Sequence, residues 1–165
     1  MIVMGTKGAD NIQSKFLGSN TWHITQKVKF PVIIVPENIE VKIPLRIMLT
    51  ADLRGVNPIF LKPLLDMIDQ FGAKLIVVHV EIDEIEDNGR KYFKGALDNT
   101  AHEFHGIKGS NIAEDLNRFA IEQKIDMVAM VQHNRGFFDK LFTISTTKGM
   151  ALLSTFPMLI LREES

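Results

Sequence analysis

The run AKLIVVHV, residues 73–80, decides the fold. It is apolar and rich in β-branched side chains with no polar alternation, which is what a strand covered on both faces of a parallel sheet requires. Ahead of it, an apolar-rich helix is predicted from about Pro58 to Phe71, with Leu61, Leu64, Leu65 and Ile68 facing inward and Gly72 as its stop. Ahead of that helix, LRIMLTADL (45–53) reads as an apolar strand ending at Asp52. Beyond the run, the acidic EIDEIED reads as a solvated loop folding back on the domain, residues 90–100 as a weaker helix and HEFHGIKG as a short strand. Ser110 is placed to cap the helix NIAEDLNRFAIEQK, in which Ile112, Leu116 and Phe119 mark a buried face. IDMVAMVQ (125–132) is the next strand, and a last helix from about Asp139 to Ser154 leads into PMLIL (157–161). Strand and helix alternate strictly from Leu45, so a parallel α/β sheet with right-handed crossovers and helices on both faces is expected.

The residues before Leu45 repeat part of this plan. MIVM (1–4) and PVIIV (31–35) read as strands, and Ile12, Phe16, Ile24 and Val28 fall along one side of a helix between them. PENIEVKIP (36–44) is polar and bracketed by prolines, as a linker would be. A shift of 126 residues, which carries Pro31 onto Pro157, also superposes Met1 on Met127, Met4 on Met130, Phe16 on Phe142 and Ser19 on Ser145. Thr21 and Thr147, Phe30 and Phe156, and Ile34 and Ile160 coincide under the same shift, with no gap. Residues 1–35 therefore read as the closing strand–helix–strand of a first repeat whose earlier part is missing, and 45–162 as a complete second repeat. Pairing of 31–35 antiparallel to 157–161 within one chain would extend five strands to about seven and leave 1–4 as an edge.

Composition narrows the function classes. The chain has 165 residues, 45% hydrophobic and 24% charged, with 19 basic against 20 acidic side chains and a net charge of −1. No long-range field favours nucleic acid or an anionic membrane, so neither is expected as a partner. The absence of cysteine excludes disulfides, thiol catalysis and thiolate metal sites and fits a reducing compartment, with cytoplasm as the default. No apolar stretch approaches the roughly 18 residues of a membrane span, and MIVMGTKG is too short for a signal peptide.

One spacing carries chemistry. After the first strand come Gly5, two residues, Gly8, nine residues, Gly18 and Ser19. Glycines let the backbone approach a polyphosphate and turn successive N–H groups toward it; a helix start adds partial positive charge, and the serine hydroxyl is a further donor. Neither a Walker loop nor a Rossmann fingerprint is present. A tight strand-to-helix turn would also need glycine, with or without phosphate.

This pattern, with the helix and the Pro-opened strand that follow it, resembles the closing motif of the universal stress protein family. From Leu45 onward the chain also resembles a family domain, with a first strand ending in Asp52, VVHV in the second strand and FPMLIL at the close. The resemblance implies a doubly wound, five-stranded, flavodoxin-like fold of the adenine nucleotide alpha hydrolase type, and in some members ATP bound at the strand ends. It makes Gly5, Gly8, Gly18 and Ser19 candidate nucleotide-binding residues of the first repeat, and Asp52 and Ser145 those of the second. The second motif is degenerate: Val131, Asn134 and Ile144 stand where the first has Gly5, Gly8 and Gly18. The first repeat in turn lacks the strand that carries the family's acidic residue. No cofactor is expected in the second domain, and ATP with a divalent metal is the weaker alternative for the chain.

Other polar residues give no catalytic constellation. His102 and His105 lie three apart on an expected strand and so face opposite ways, which argues against metal binding. His79 falls inside an apolar strand and is expected to be half-buried, while His133 sits at a strand end where family ligands bind. Asp52 and Asp83 have nothing to fix them on a common substrate. The resemblance implies a non-enzymatic stress-response regulatory or interaction module with a degenerate nucleotide site. Its alternatives are an ATP-binding switch, with slow hydrolysis and completed by a second chain, and a ligand-free dimerisation scaffold. A homodimer through the last strands or the N-terminal arm is expected.

Overall fold

A computed structural model describes residues 1–6, 24, 27–37, 39–50, 57–80, 97, 100–107, 112–132 and 155–162. Among the described residues seven strands form one sheet: β1 (Ile2–Gly5), β2 (Val32–Val35), β3 (Arg46–Thr50), β4 (Lys74–Val80), β5 (His102–Ile107), β6 (Met127–Gln132) and β7 (Met158–Arg162). Their spatial order is β1-β2-β7-β6-β3-β4-β5. All neighbours are parallel except β2 and β7, which pair antiparallel. The five-stranded parallel unit and its antiparallel extension by residues 31–35 are thus both present, and β1 is an edge strand among the described residues.

Side chains alternate across this sheet and separate two cores. Val32, Met48, Ile76, Val78, Val128, Met130, Met158 and Ile160 share one face with helix α2 (Ile112–Glu122). Ile47, Leu49, Leu75, Val77, Ala129, Val131, Leu159 and Leu161 share the other with helix α1 (Lys62–Phe71). Central strands are buried on both faces, which is why β4 is a continuous apolar run rather than an alternating one.

The helices depart from expectation in detail. The segment 58–71 is a 3₁₀ turn, Pro58–Leu61, followed by α1. Pro63 has no N–H to offer the Ile59 carbonyl, and Lys62 donates to that carbonyl in the tighter pattern instead. Met67 joins Leu61, Leu64 and Ile68 in the core, whereas Leu65 stays half-buried. In α2 the fully covered stripe is Ala113, Leu116 and Ala120, with Ile112 and Phe119 half-buried on its flanks. Small residues centre the stripe because they let the helix sit close to the sheet.

The two described helices end alike. Ala73 N–H donates to the Ile68 carbonyl at 3.0 Å, and Ile125 N–H to the Ala120 carbonyl at 2.9 Å, each across a residue in the left-handed region. That residue is Gly72 (φ 61°) after α1 but Lys124 (φ 52°) after α2.

Two strand pairs share one register. Ile2 pairs with Val32, Val3 with Ile33, Met4 with Ile34 and Gly5 with Val35. Val128 pairs with Met158, Ala129 with Leu159, Met130 with Ile160 and Val131 with Leu161, each pair shifted by the 126 residues found in the sequence. Even the entry bonds correspond: Ile2 N–H donates to the Pro31 carbonyl at 2.8 Å, and Val128 N–H to the Pro157 carbonyl at 2.9 Å. In the antiparallel pair, Ile33 lies opposite Leu159, its own counterpart under that shift. The two strand pairs are therefore related by a local dyad through the Ile33–Leu159 rung, normal to the sheet, since counterparts share a face.

The dyad explains how a short linker suffices. β1 and β2 run opposite to the other five strands, so the end of β2 and the start of β3 lie at the same end of the sheet. Residues 36–44 need to cross only three strand spacings, about 14 Å. Asp126 holds the arriving chain: its Oδ2 accepts the Leu45 and Arg46 N–H groups, both at 3.0 Å, and its Oδ1 meets Lys42 Nζ at 2.5 Å. Arg46 Nε donates to the Gln123 carbonyl at 2.8 Å. Burial opposes the charge on Asp126, but the Lys42 hydrogen bond and the two backbone donors outweigh it and hold its carboxyl below the usual range.

Candidate functional site

In a doubly wound sheet, ligands bind beyond the carboxyl ends of the strands where successive connections leave in opposite directions. Here the chain passes from β3 outward through β4 to β5, then returns to β6 and β7 on the other side of β3. The switch point is the β3–β6 boundary. Thr50 ends β3 there, 1% exposed, opposite Met130, and its hydroxyl donates to the Ala129 carbonyl at 3.5 Å. Asp52, His133, Asn134, Ile144 and Ser145, which sequence assigns to this end, lie outside the described residues.

The first glycine motif meets the fold elsewhere. Gly5 closes β1, with Thr6 N–H donating to the Val35 carbonyl at 3.1 Å; Gly8, Gly18 and Ser19 lie outside the described residues. β2, β7 and β6 separate β1 from β3, and β1 runs the opposite way, so Gly5 and Thr50 lie at opposite ends of the sheet. Of the six candidate residues only Gly5 is described, and it stands at the end of the sheet opposite to the one that Thr50 reaches. The motif of each repeat would belong to its own strand end, related by the dyad.

That dyad allows the two strand ends to be compared position by position. Val131 takes the place of Gly5, 5% exposed and next to last in β6. Its Cβ and methyls fill the space that close approach of a polyphosphate to the backbone would use. On the side of β6 away from β7 stands β3, whereas among the described residues no strand lies on the outer side of β1. The second strand end thus has its neighbour but carries valine; the first has glycine but, among the described residues, no strand on its outer side.

The histidines are placed as follows. His102 and His105 pair with Leu75 and Val78, which lie on opposite faces, so the two imidazoles do not converge. His102 Nδ1–H donates to the Thr100 carbonyl at 2.8 Å, which fixes its tautomer. The His105 ring meets Phe119 edge-on, 5.1 Å between centroids, and lies 3.7 Å from the Glu103 carboxylate. Lys74, bonded to Glu103 at 2.5 Å, holds that carboxyl below its ordinary range. His79 is 4% exposed rather than half-buried, because β5 and the α1-side core cover the end of β4. The acidic run 81–87, with Asp83, lies outside the described residues. Among the described residues no three His, Asp or Glu groups gather as a metal site, and no helix is long and apolar enough to cross a membrane.

Sequence reasoning found Gly5 and Val131 but not that their strand ends point apart. The signal was available: repeats joined antiparallel through their last strands must present those ends in opposite directions.

Comparison with known proteins agrees with this architecture. Residues 1–36 match the sequence profile of the universal stress protein family. A universal stress protein from Archaeoglobus fulgidus is similar over 99% of this chain and 61% of its own, at 18% identity and a TM-score of 0.73. A functionally unknown protein from Pseudomonas aeruginosa is similar over 98% of this chain and 62% of its own, at 15% identity and a TM-score of 0.58. A universal stress protein in complex with cAMP is similar over 72% of this chain and 96% of its own, at 16% identity and a TM-score of 0.53. The chain therefore spans about 61% of the length of the Archaeoglobus protein. No curated protein matches it in sequence. The chain is thus a flavodoxin-like α/β protein with the universal stress protein fold, whose first 36 residues match that family's own sequence profile.

Proposed function

We propose that the chain is a non-enzymatic regulatory or interaction module of the universal stress protein type, with a degenerate nucleotide site. The observation that carries this reading is Val131: it is buried, next to last in β6, the strand beside the switch point, at the register position where β1 has Gly5. A phosphate-cradling turn needs backbone approach and positive φ, both of which a β-branched residue resists. Ile144, also β-branched, stands at another of the glycine positions and points the same way. The equal strand registers support the tandem reading, in which 1–35 closes one repeat, 36–44 links and 45–162 forms the second. A cysteine-free composition fits a cytoplasmic location and a protein whose work is contact rather than thiol or thiolate-metal chemistry.

Isothermal calorimetry of the full chain against magnesium ATP and against cAMP, the ligand of one structural relative, tests the reading. The expected result is no binding in the micromolar range; micromolar affinity for either nucleotide overturns it. A second reading is favoured by one feature, the intact Gly5 spacing on a strand that has a neighbour on one side only among the described residues. There a second chain completes an ATP site in trans, and native mass spectrometry would find a dimer carrying ATP. A ligand-free dimer would instead assign the chain to the scaffold class.

A further inference from the structure

We propose that the chain forms a reciprocally exchanged homodimer, in which β1 and β2, with the segment that joins them, pair with β7 of a second copy while the two linkers cross as an antiparallel ribbon about Val41. The partner of the linker is thus a second copy, and the linker's own sequence selects it. Between β2 and β3 stand Ile39, Glu40, Val41, Lys42 and Ile43. Two copies laid antiparallel about Val41 set Val41 opposite Val41, Glu40 opposite Lys42 twice and Ile39 opposite Ile43 twice. Centred on Glu40 or on Lys42, the ribbon would instead bring two like charges together, so only the Val41 centre gives both charges opposite partners. One face of the ribbon then carries the isoleucines and valines of both copies and the other the four charges, and β-branched cross-strand pairs are those that strand pairing favours.

The linker is already shaped for this. Lys42 turns inward to Asp126, while Val41 and Ile43 on either side of it are 81% and 62% exposed, so the segment alternates as a strand does. Ile43 precedes Pro44, which favours the extended conformation. Among the described residues no backbone hydrogen bond engages residues 39–43. Pairing with a second linker would satisfy those backbone groups and cover Val41 and Ile43.

Exchange alters little else. Each half of the dimer keeps the register found within one chain, with Val32 opposite Ile160, Ile33 opposite Leu159 and Ile34 opposite Met158. Asp126, Leu45 and Arg46 lie on the same side of the linker, so their bonds survive, and Lys42 trades Asp126 for Glu40 of the second copy. With the contacts inside each half equal, the linkers decide between one chain and two. Fully extended, residues 36–44 span about 30 Å, roughly twice the gap they close within one chain, which gives them the reach to cross between halves. The same slack lets a single chain close on itself, so the dimer is a product of concentration. The inference goes beyond the interaction-module reading and rests on no part of it.

Light scattering across a dilution series should find monomer when dilute and dimer when concentrated. Glu40→Lys and Lys42→Glu each set like charges opposite one another twice in the ribbon, so each variant alone should dimerise about tenfold more weakly. Mixed in equal parts they restore the opposite pairs, and the mixed dimer should form as readily as the wild type. The chain has no cysteine, so Ile33→Cys with Leu159→Cys, at directly opposed positions, reports the exchange itself. Its disulfide closes within one chain in the monomer and joins two chains in the dimer, which a non-reducing gel separates. A monomer at every concentration overturns the proposal. So does a mixture that dimerises no better than either charge variant alone, or a dimer whose disulfide stays within each chain. A calorimetric finding of ATP or cAMP binding would revise the functional reading and leave this one standing.

Discussion

Asp126→Ala should loosen the junction between linker and sheet by a calculable amount. The carboxylate accepts two backbone N–H groups at 3.0 Å, and a hydrogen bond to a charged group contributes about 1.5 kcal/mol at the low end of its range. The Arg46 N–H is part-buried and would lose its acceptor outright, while the Leu45 N–H is exposed, so water recovers roughly half of its bond. Lys42 is 65% exposed, and such an ion pair adds only about 0.3 kcal/mol. Together these give a loss of about 2.5 kcal/mol, which in a chain of this size lowers Tm by roughly 5–10 °C. Urea unfolding followed by circular dichroism would measure it, with an unchanged slope expected because the exposed area does not alter. Asp126→Asn keeps one acceptor oxygen and should lose about half as much. The pH dependence has a fixed sign. Asp126 has its folded pKa below the ordinary unfolded value of about 3.9, so its contribution is complete above that value and disappears as pH falls through the folded pKa. The gap between wild type and Asp126→Ala should therefore stay constant from neutral pH down to about 5 and close at lower pH. A loss below about 0.5 kcal/mol, or one equal to that of Lys42→Ala, would refute the argument that the backbone donors dominate.

Three other outcomes can be checked with the same unfolding assay or by titration. Leu49→Ala, in the centre of the sheet, should cost about 3–4 kcal/mol, whereas Val3→Ala on the same rung should cost under about 0.5. Gly72→Ala meets no atom within 4 Å, so its cost of about 1 kcal/mol is backbone strain alone, and Lys124→Gly should gain a similar amount after α2. Lys74→Ala should let Glu103 titrate closer to its ordinary value in an NMR pH series, with little change in stability because both partners are over 40% exposed.

The fold was legible where composition and geometry coincide. The unbroken run in β4 required two covered faces, and the ungapped shift from Pro31 to Pro157 anticipated a register that the strands reproduce residue by residue. Less visible were features that hydrophobic periodicity does not weigh. Ala113 and Ala120 centre the buried stripe of α2 because they are small, and a pattern search ranks Ile112 and Phe119 above them. Pro63 breaks the expected helix because of a missing N–H, a local effect hidden inside an otherwise regular apolar spacing. Of the candidate site, the glycine-to-valine difference between Gly5 and Val131 could be read directly. The divergence of their strand ends could not be read from either motif, since it follows from the antiparallel β2–β7 junction, a pairing between segments 126 residues apart.

The same junction sets the mechanical character of the molecule. Ile2, Val32 and Ile160 form one rung, so the start of β1 and the end of β7 lie at the same end of the sheet, two strand spacings apart. A force applied between Met1 and Arg162 would pull across the strands and part β1, β2 and β7 one rung at a time, like a zip. Handles at Val35 and Arg162 would load the rungs of the β2–β7 pair together in shear. One sheet should thus be compliant along the first axis and stiff along the second, a tension response set by strand direction rather than by the number of bonds.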